Sequence, residues 1–148
     1  MSDGEAPADA NVRQVVPFLW VTDLARSLRF YVDGLGFAMK NRWEVDGRVR
    51  WCWLELGGSA LMLQELAQGG HHAGRPEGAL GQGVSLCLMC RDAIAIYREL
   101  LSRGIAAAEP QVGNALWVTD VTDPDGYRLY FESPTDVPEE TKLSEWAS

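Results

Sequence analysis

The side chains that most often do chemistry are scarce in this chain of 148 residues. Its two histidines, His71 and His72, are adjacent in a polar, glycine-rich stretch, where histidines are usually solvated loop residues. With both histidines adjacent in a loop, the sequence indicates no Ser–His–Asp or Cys–His arrangement for nucleophilic catalysis. We therefore predict no catalytic residues, while a metal-binding role for His71 and His72 stays open.

The three cysteines give no metal site either. Cys87 and Cys90 have the C-x-x-C spacing, but they fall in an apolar run, Val84 to Cys90, that is typical of a strand. Positions three apart on a strand point to opposite faces, so this pair is poorly placed to share a zinc ion or a disulfide. We expect these two residues and Cys52 to be buried free thiols.

Two carboxylates, Glu55 and Glu132, lie in apolar runs that predict strands. A carboxylate beside an apolar wall can act as a general base, although a solvated carboxylate at a polar rim is the alternative. No nucleophile accompanies them, and no glycine-rich phosphate-binding loop stands between a strand and a helix.

The overall composition excludes several classes of protein. A net charge of −8 and a pI near 4.7 argue against nucleic-acid binding, which needs a basic surface. No apolar run approaches the ~20 residues that span a bilayer, so we expect no membrane insertion. The N-terminus is acidic and polar, unlike a secretory signal, and this favours a cytoplasmic location.

Strand and helix signals occur twice in the same order. In the first set, Thr22 or Asp23 can cap a helix whose apolar stripe is Leu24, Leu28, Tyr31 and Leu35. Asp46-Gly47 is a strong hairpin signal. The predicted strands of this first unit are 15–21, 37–45, 48–56 and 60–66.

The second set repeats the pattern after a polar stretch. Asp92 begins a helix with Ala93, Tyr97, Leu100 and Leu101 on one face, and Gly104 ends it. The predicted strands are 83–90, 105–109, 115–121 and 127–132. The chain then divides into a mobile tail (1–13), two β-α-β-β-β units (14–66 and 83–134), a linker (67–82) and a C-terminal tail (135–148) with a helical turn around Glu139 to Trp146.

Several motifs carry a family resemblance across about residues 14–134. They are Val21-Thr22-Asp23-Leu24 leading to Phe30-Tyr31, then Leu35-Gly36-Phe37, Ser102-Arg103-Gly104 and Asp123-Pro124-Asp125-Gly126. In this order they resemble the vicinal oxygen chelate superfamily, which includes glyoxalase I, bleomycin-resistance proteins and extradiol dioxygenases. The resemblance implies an α+β fold of two tandem βαβββ modules, which form a curved mixed sheet around a concave groove with helices on the outer face. It also implies a homodimer.

The resemblance further implies where metal ligands would stand. Those places hold Val16, Met62, Ser85 and Tyr130. Divalent metals of this kind of site prefer carboxylate and imidazole ligands, which these four residues cannot provide. We therefore expect no metal and no other cofactor.

Period-two alternation then sorts the strand side chains between the core and the implied groove. The groove side is rich in aromatic residues with a few polar groups, as in a small-molecule site. Glu55 and Met89 lie on the same groove side. The sequence does not decide whether Trp117 faces the groove or the core. The predicted ligand-binding residues are Phe18, Trp20, Trp51, Trp53, Met62, Gln64, Ser85, Cys87, Arg128, Tyr130 and Glu132.

These observations favour a bleomycin-resistance-like protein that binds a small aromatic or cationic hydrophobic molecule, such as an antibiotic, without metal. The alternative is a metal-dependent lyase, isomerase or dioxygenase of the same superfamily with a non-standard site. Its candidate ligands are His71, His72, Glu65 and Glu132. A metal-free enzyme that uses Glu55 or Glu132 as its base is the third hypothesis.

Overall fold

Alternating apolar residues build two four-stranded mixed sheets with the same topology. The computed structural model describes residues 10–66 and 78–146. The first sheet has the order β1-β4-β3-β2 and the second the order β5-β8-β7-β6, each with one parallel pair, β1 with β4 and β5 with β8. The strands are β1 (Phe18–Val21), β2 (Ala38–Val45), β3 (Arg48–Leu56), β4 (Ser59–Glu65), β5 (Ser85–Met89), β6 (Gln111–Gly113), β7 (Leu116–Thr122) and β8 (Arg128–Pro134). The α+β class and the two tandem βαβββ modules are confirmed.

In the described part of the chain, three α-helices accompany the sheets: α1 (Leu24–Leu28), α2 (Ala93–Ser102) and α3 (Leu143–Trp146). Asp23 and Asp92 cap α1 and α2, because their side chains accept hydrogen bonds from the N–H groups of Arg26 and Ala95. A π-helical segment, Arg29–Gly34, continues α1. It ends where Gly34 lies so close to Ile105 that any side chain at Gly34 would overlap it. No helix in the described ranges is long and apolar enough to cross a membrane.

One face of each sheet is buried in a core that both modules share. The first sheet contributes Leu19, Leu54 and Leu63, and the second contributes Leu129 and Phe131. The helices add Leu24 and Leu100 to the same cluster. The opposite faces of both sheets are open.

The Asp123-Pro124-Asp125-Gly126 turn fastens the second module to the first. Its buried Asp123 carboxylate accepts hydrogen bonds from the Tyr31 hydroxyl (2.8 Å) and from the N–H groups of Asp125 and Tyr127 (2.9 Å each). Asp125 accepts from the N–H and the hydroxyl of Thr22, at 3.2 and 2.6 Å. The Tyr127 hydroxyl donates to the Trp20 carbonyl at 2.7 Å. A turn that marked the family in the sequence is thus a junction between the modules.

The C-terminal segment packs against the edge strand of the second sheet. Val112 of β6 exchanges backbone hydrogen bonds with residues 140 and 141, each 2.9 Å long. Leu143 is buried beside Val112 and Trp117, and the ring centroids of Trp117 and Trp146 are 5.6 Å apart. Trp117 is 5% exposed, so its side chain belongs to the core and not to the open face.

Three sequence predictions were wrong. The strand expected at 105–109 lies instead at Gln111–Gly113, because regular pairing with β7 begins after Pro110, which has no N–H; before it, Ala108 donates a single hydrogen bond to the Asp120 carbonyl at 3.1 Å. Leu101 is 46% exposed, since α2 buries Ala93, Ile94 and Leu100. Cys87 is exposed because it lies on an open sheet face, whereas Cys52 is buried and Cys90 is half-buried.

Candidate functional site

The open face of the first sheet collects the predicted aromatic residues. Strand pairing places Gln64 between Trp20 and Trp51, and it places Met62 between Phe18 and Trp53. Neighbouring strands lie about 4.8 Å apart, so these side chains form one continuous patch. We call this patch the aromatic face: Phe18, Trp20, Trp51, Trp53, Met62 and Gln64.

Hydrogen bonding and ring contacts order parts of the aromatic face. The Trp53 indole N–H donates to Glu55 Oε2 at 2.8 Å, which places a carboxylate at the edge of that ring. The rings of Phe18 and Trp20 are 5.3 Å apart and tilted by 55°. Phe18 is 41% exposed, an unusual degree for a large apolar side chain. The face therefore offers apolar rings to solvent with a carboxylate beside them.

The second sheet carries the remaining predicted residues on its own open face. We call this set the polar face: Ser85, Cys87, Arg128, Tyr130 and Glu132. Arg128 forms an ion pair with Asp120 at 3.1 Å, and its guanidinium lies 5.9 Å from the centre of the Tyr130 ring. A hydrogen bond with Glu132, together with partial burial, raises the pKa of the Cys87 thiol. The thiol is therefore a poor nucleophile at neutral pH.

A cavity between the modules includes two residues of the polar face. This cavity of about 320 Å³ is lined by Ser85 and Cys87 of β5 and by Pro17 and Ala60 of the first module. Ala60 is paired with Glu55, so the cavity adjoins the end of the aromatic face. The structure brings Ser85 and Cys87 to the first module, while Arg128, Tyr130 and Glu132 lie on the neighbouring strand β8.

The side chains at the implied metal positions do not fit a metal. Met62, Ser85 and Tyr130 lie on the open faces and Val16 precedes β1, and together they supply no carboxylate and no imidazole. Among the described residues, no group of three or more His, Cys, Asp or Glu side chains could hold an ion. His71 and His72 lie outside the described residues.

Glu65, a candidate ligand for the metal-dependent alternative, is already engaged. It is buried, and its two oxygens accept from the N–H of Leu24 at 2.9 Å and from the guanidinium groups of Arg48 and Arg50 at 2.7 and 3.2 Å. It therefore anchors the start of α1 and does not face the open side of the sheet.

Sequence reasoning missed Asp120, which pairs with Arg128 on the polar face. The strand around Trp117 alternated too weakly to assign its faces from sequence. Once Trp117, Thr119 and Val121 are known to be buried, Asp120 must point to the open side. Knowing on which side of the strand Trp117 lies would have been enough to predict the position of Asp120.

The paired βαβββ modules, each with one buried and one open sheet face, define the class of protein. The chain belongs to the Glyoxalase/Bleomycin resistance protein/Dioxygenase superfamily, whose model matches residues 12–131. A search of curated proteins finds no match.

Solved structures share this fold at low sequence identity. TnmS3, an antibiotic binding protein from Streptomyces sp. CB03234, is 22% identical, with a TM-score of 0.61 over 83% of this chain and 98% of its own. A bleomycin-binding protein complexed with bleomycin is 24% identical, with a TM-score of 0.62 over 82% and 98%. A glyoxylase/bleomycin resistance protein/dioxygenase domain from Frankia sp. EAN1pec is 20% identical, with a TM-score of 0.65 over 87% and 96%.

Proposed function

We propose that this protein binds a small aromatic or hydrophobic cationic molecule, of the antibiotic type, on its aromatic face and without a metal. The observation that carries this proposal is the continuous patch of four aromatic rings, Met62 and Gln64 on the open side of the first sheet. Such a patch, apolar with a few polar groups, matches the composition of small-molecule sites.

Stacking on the rings supplies the affinity. An aromatic pair contributes about 0.5–1.5 kcal/mol beyond the burial of its area, and a cation over an indole contributes a similar amount. Gln64 lies between Trp20 and Trp51 and can donate to or accept from the edge of a stacked ligand. Several such contacts together suffice for a specific small-molecule complex.

Charge favours a cationic ligand over an anionic one. Glu55 lies at the edge of the Trp53 ring, and the chain carries a net charge of −8. A carboxylate beside an aromatic plate attracts an ammonium or guanidinium group on the same ligand. One structural neighbour is described as an antibiotic binding protein and another as a bleomycin-binding protein, and this supports the proposed ligand class.

We also propose that the protein is a homodimer. Phe18, Trp43 (55% exposed) and Met89 (66% exposed) leave large apolar side chains in water on the two open faces or beside them. A second copy and the ligand together would shield part of this surface.

Titration followed by tryptophan fluorescence tests the proposal. Chelator-treated protein should show saturable quenching by planar cationic compounds such as anthracyclines, and Trp53→Ala should weaken binding when the affinity is measured by calorimetry. Glu55→Gln should weaken binding of a cationic compound while leaving a neutral analogue of the same ring system unchanged. Trp146→Phe, on the second module, is the control for general loss of fluorescence.

Two outcomes would contradict the proposal. One is the absence of saturable quenching by cationic and neutral planar compounds alike. The other is a stoichiometric transition metal that survives dialysis and is needed for binding, which would support the metal-dependent alternative.

A further inference from the structure

Strand β2 presents an open sheet edge. It ends the order β1-β4-β3-β2, so within the described residues only its β3 side is paired with a strand. Residues 40–44 are all exposed, including Trp43. The equivalent edge of the second sheet, β6, is covered by the chain's own C-terminal segment through a bridge between Gln111 and Lys142. Within ranges 10–66 and 78–146, the chain thus covers the β6 edge and leaves the β2 edge unpaired, although open edges favour unwanted pairing.

The charges along β2 change sign at Trp43. Lys40 and Arg42 precede it, and Glu44 and Asp46 follow it. Arg42 and Glu44 point to the same side of the strand and form an ion pair at 3.1 Å, with both side chains well exposed. At the register shift between Trp43 and Glu44, the extra residue is Arg50 of β3. Strand β2 therefore keeps its regular alternation from Asn41 to Val45.

We infer that two copies of the chain join through antiparallel pairing of their β2 strands about a two-fold axis at Trp43. This inference rests on the proposed homodimer and names its interface. Residues directly opposite each other in an antiparallel pair share a face, so Arg42 lies opposite Glu44 of the partner subunit, and Glu44 lies opposite Arg42 of the partner subunit. The four side chains alternate in charge around the axis.

The same charges favour this register over its two neighbours. An axis at Arg42 would place two arginines opposite each other, and an axis at Glu44 would place two glutamates opposite each other. Like charges directly opposite are destabilising, so the pattern favours the single register centred on Trp43. In that register the Trp43 residues of the two copies adjoin on the open side.

This arrangement extends the proposed binding surface. Trp43 is paired with Trp51 of the aromatic face across β2 and β3. A two-fold axis perpendicular to the sheet keeps both aromatic faces on the same side. The two copies therefore form one continuous sheet with a row of indoles that crosses the axis.

Charge reversal tests the interface, measured by sedimentation equilibrium of the full chain. Arg42→Glu and Glu44→Arg should each raise the dimer dissociation constant at least about tenfold, because each sets like charges opposite each other. An equal mixture of the two variants should form heterodimers, since every opposite pair then has complementary charges. Loss of the ion pair within one chain could not produce that rescue. Arg29→Glu and Asp33→Arg, exposed on the π-helical segment, are matched controls that should leave the constant unchanged.

The outcomes separate this inference from the proposed ligand binding, which is measured on the same samples by tryptophan fluorescence. A dimer dissociation constant that is the same in both single variants as in the wild type would overturn the β2 interface. A wild-type protein that is monomeric at every concentration tested would also overturn it. Failure of the mixture to form heterodimers would also overturn it. Loss of ligand binding by the wild-type dimer would instead contradict the proposed function.

Discussion

The two modules share one backbone plan but present different open faces. In the first sheet, β1 and β4 pair Phe18 with Met62 and Trp20 with Gln64. In the second, β5 and β8 pair Cys87 with Tyr130 and Met89 with Glu132 at corresponding places. The buried faces of both sheets are mostly apolar, with Glu65, Thr119 and Ser133 as polar exceptions. Packing therefore constrains one face of each sheet, and the other face is free to differ in chemistry.

The difference extends to the turns between the last two strands of each module. The first module has Gly57-Gly58 there, which brings no side chain to the other module. The second has the Asp-Pro-Asp-Gly turn, whose carboxylates accept hydrogen bonds from Tyr31 and Thr22 of the first. One module supplies the aromatic face, and the other supplies the acceptors that hold the two together.

The largest expected effect comes from breaking this junction with Asp123→Ala. The change leaves the buried Tyr31 hydroxyl and the Tyr127 N–H without the acceptor that they use. Buried donors left unsatisfied cost about 1–3 kcal/mol each, so we expect the free energy of unfolding to fall by about 3 kcal/mol in urea denaturation. Asp136→Ala, an exposed change beyond β8, is the control. A loss no greater than that of the control would contradict the role of the junction.

The junction should also limit stability at alkaline pH. Burial, followed by the nearby Asp123 charge, raises the pKa of Tyr31 far above 10. A group whose pKa is higher in the folded state stabilises the fold below its unfolded pKa, and that stability is lost as pH rises. The free energy of unfolding should therefore fall as pH rises above about 10. In Tyr31→Phe that fall should be smaller, and parallel pH curves for the two proteins would contradict the assignment.

The contrast between the open faces predicts unequal effects on ligand affinity. Trp53→Ala removes a ring from the aromatic face and should raise the dissociation constant at least about tenfold, or about 1.4 kcal/mol. Tyr130→Ala, on the polar face, should change it several-fold at most. Because Trp53→Ala removes one of the fluorescent tryptophans, the dissociation constants of both variants should be measured by calorimetry. Equal losses would show that ligand contacts are shared between the two faces.

In the strands other than β7, period-two alternation predicted which side chains face the core, because burial on one side of a sheet imposes that period locally. The Asp46-Gly47 dipeptide predicted the β2–β3 hairpin, where both residues adopt positive φ angles, of 52° and 75°. Alternation could not predict the strand register near Pro110, since the preceding alanines carry no alternation. The role of Asp123 was equally hidden, because its partner Tyr31 is 92 residues away. What sequence missed depends on contacts between distant segments.

The smallest effect concerns the edge of the second sheet. Its β6–β7 hairpin turns through Asn114 and Ala115, both at positive φ (55° and 61°), whereas the first module uses Asp46-Gly47. An alanine in this conformation is strained by about 1 kcal/mol, and the Glu139 carboxylate offsets that cost by accepting from the N–H groups of Asn114 and Ala115 at 2.6 and 2.9 Å. Ala115→Gly should therefore raise the free energy of unfolding by about 0.5–1 kcal/mol, and Glu139→Gln should lower it by a similar amount. Glu140→Gln is the matched control. If Ala115→Gly lowered the free energy of unfolding, Ala115 would not be strained, and the two hydrogen bonds to Glu139 would not be offsetting a strain in this turn.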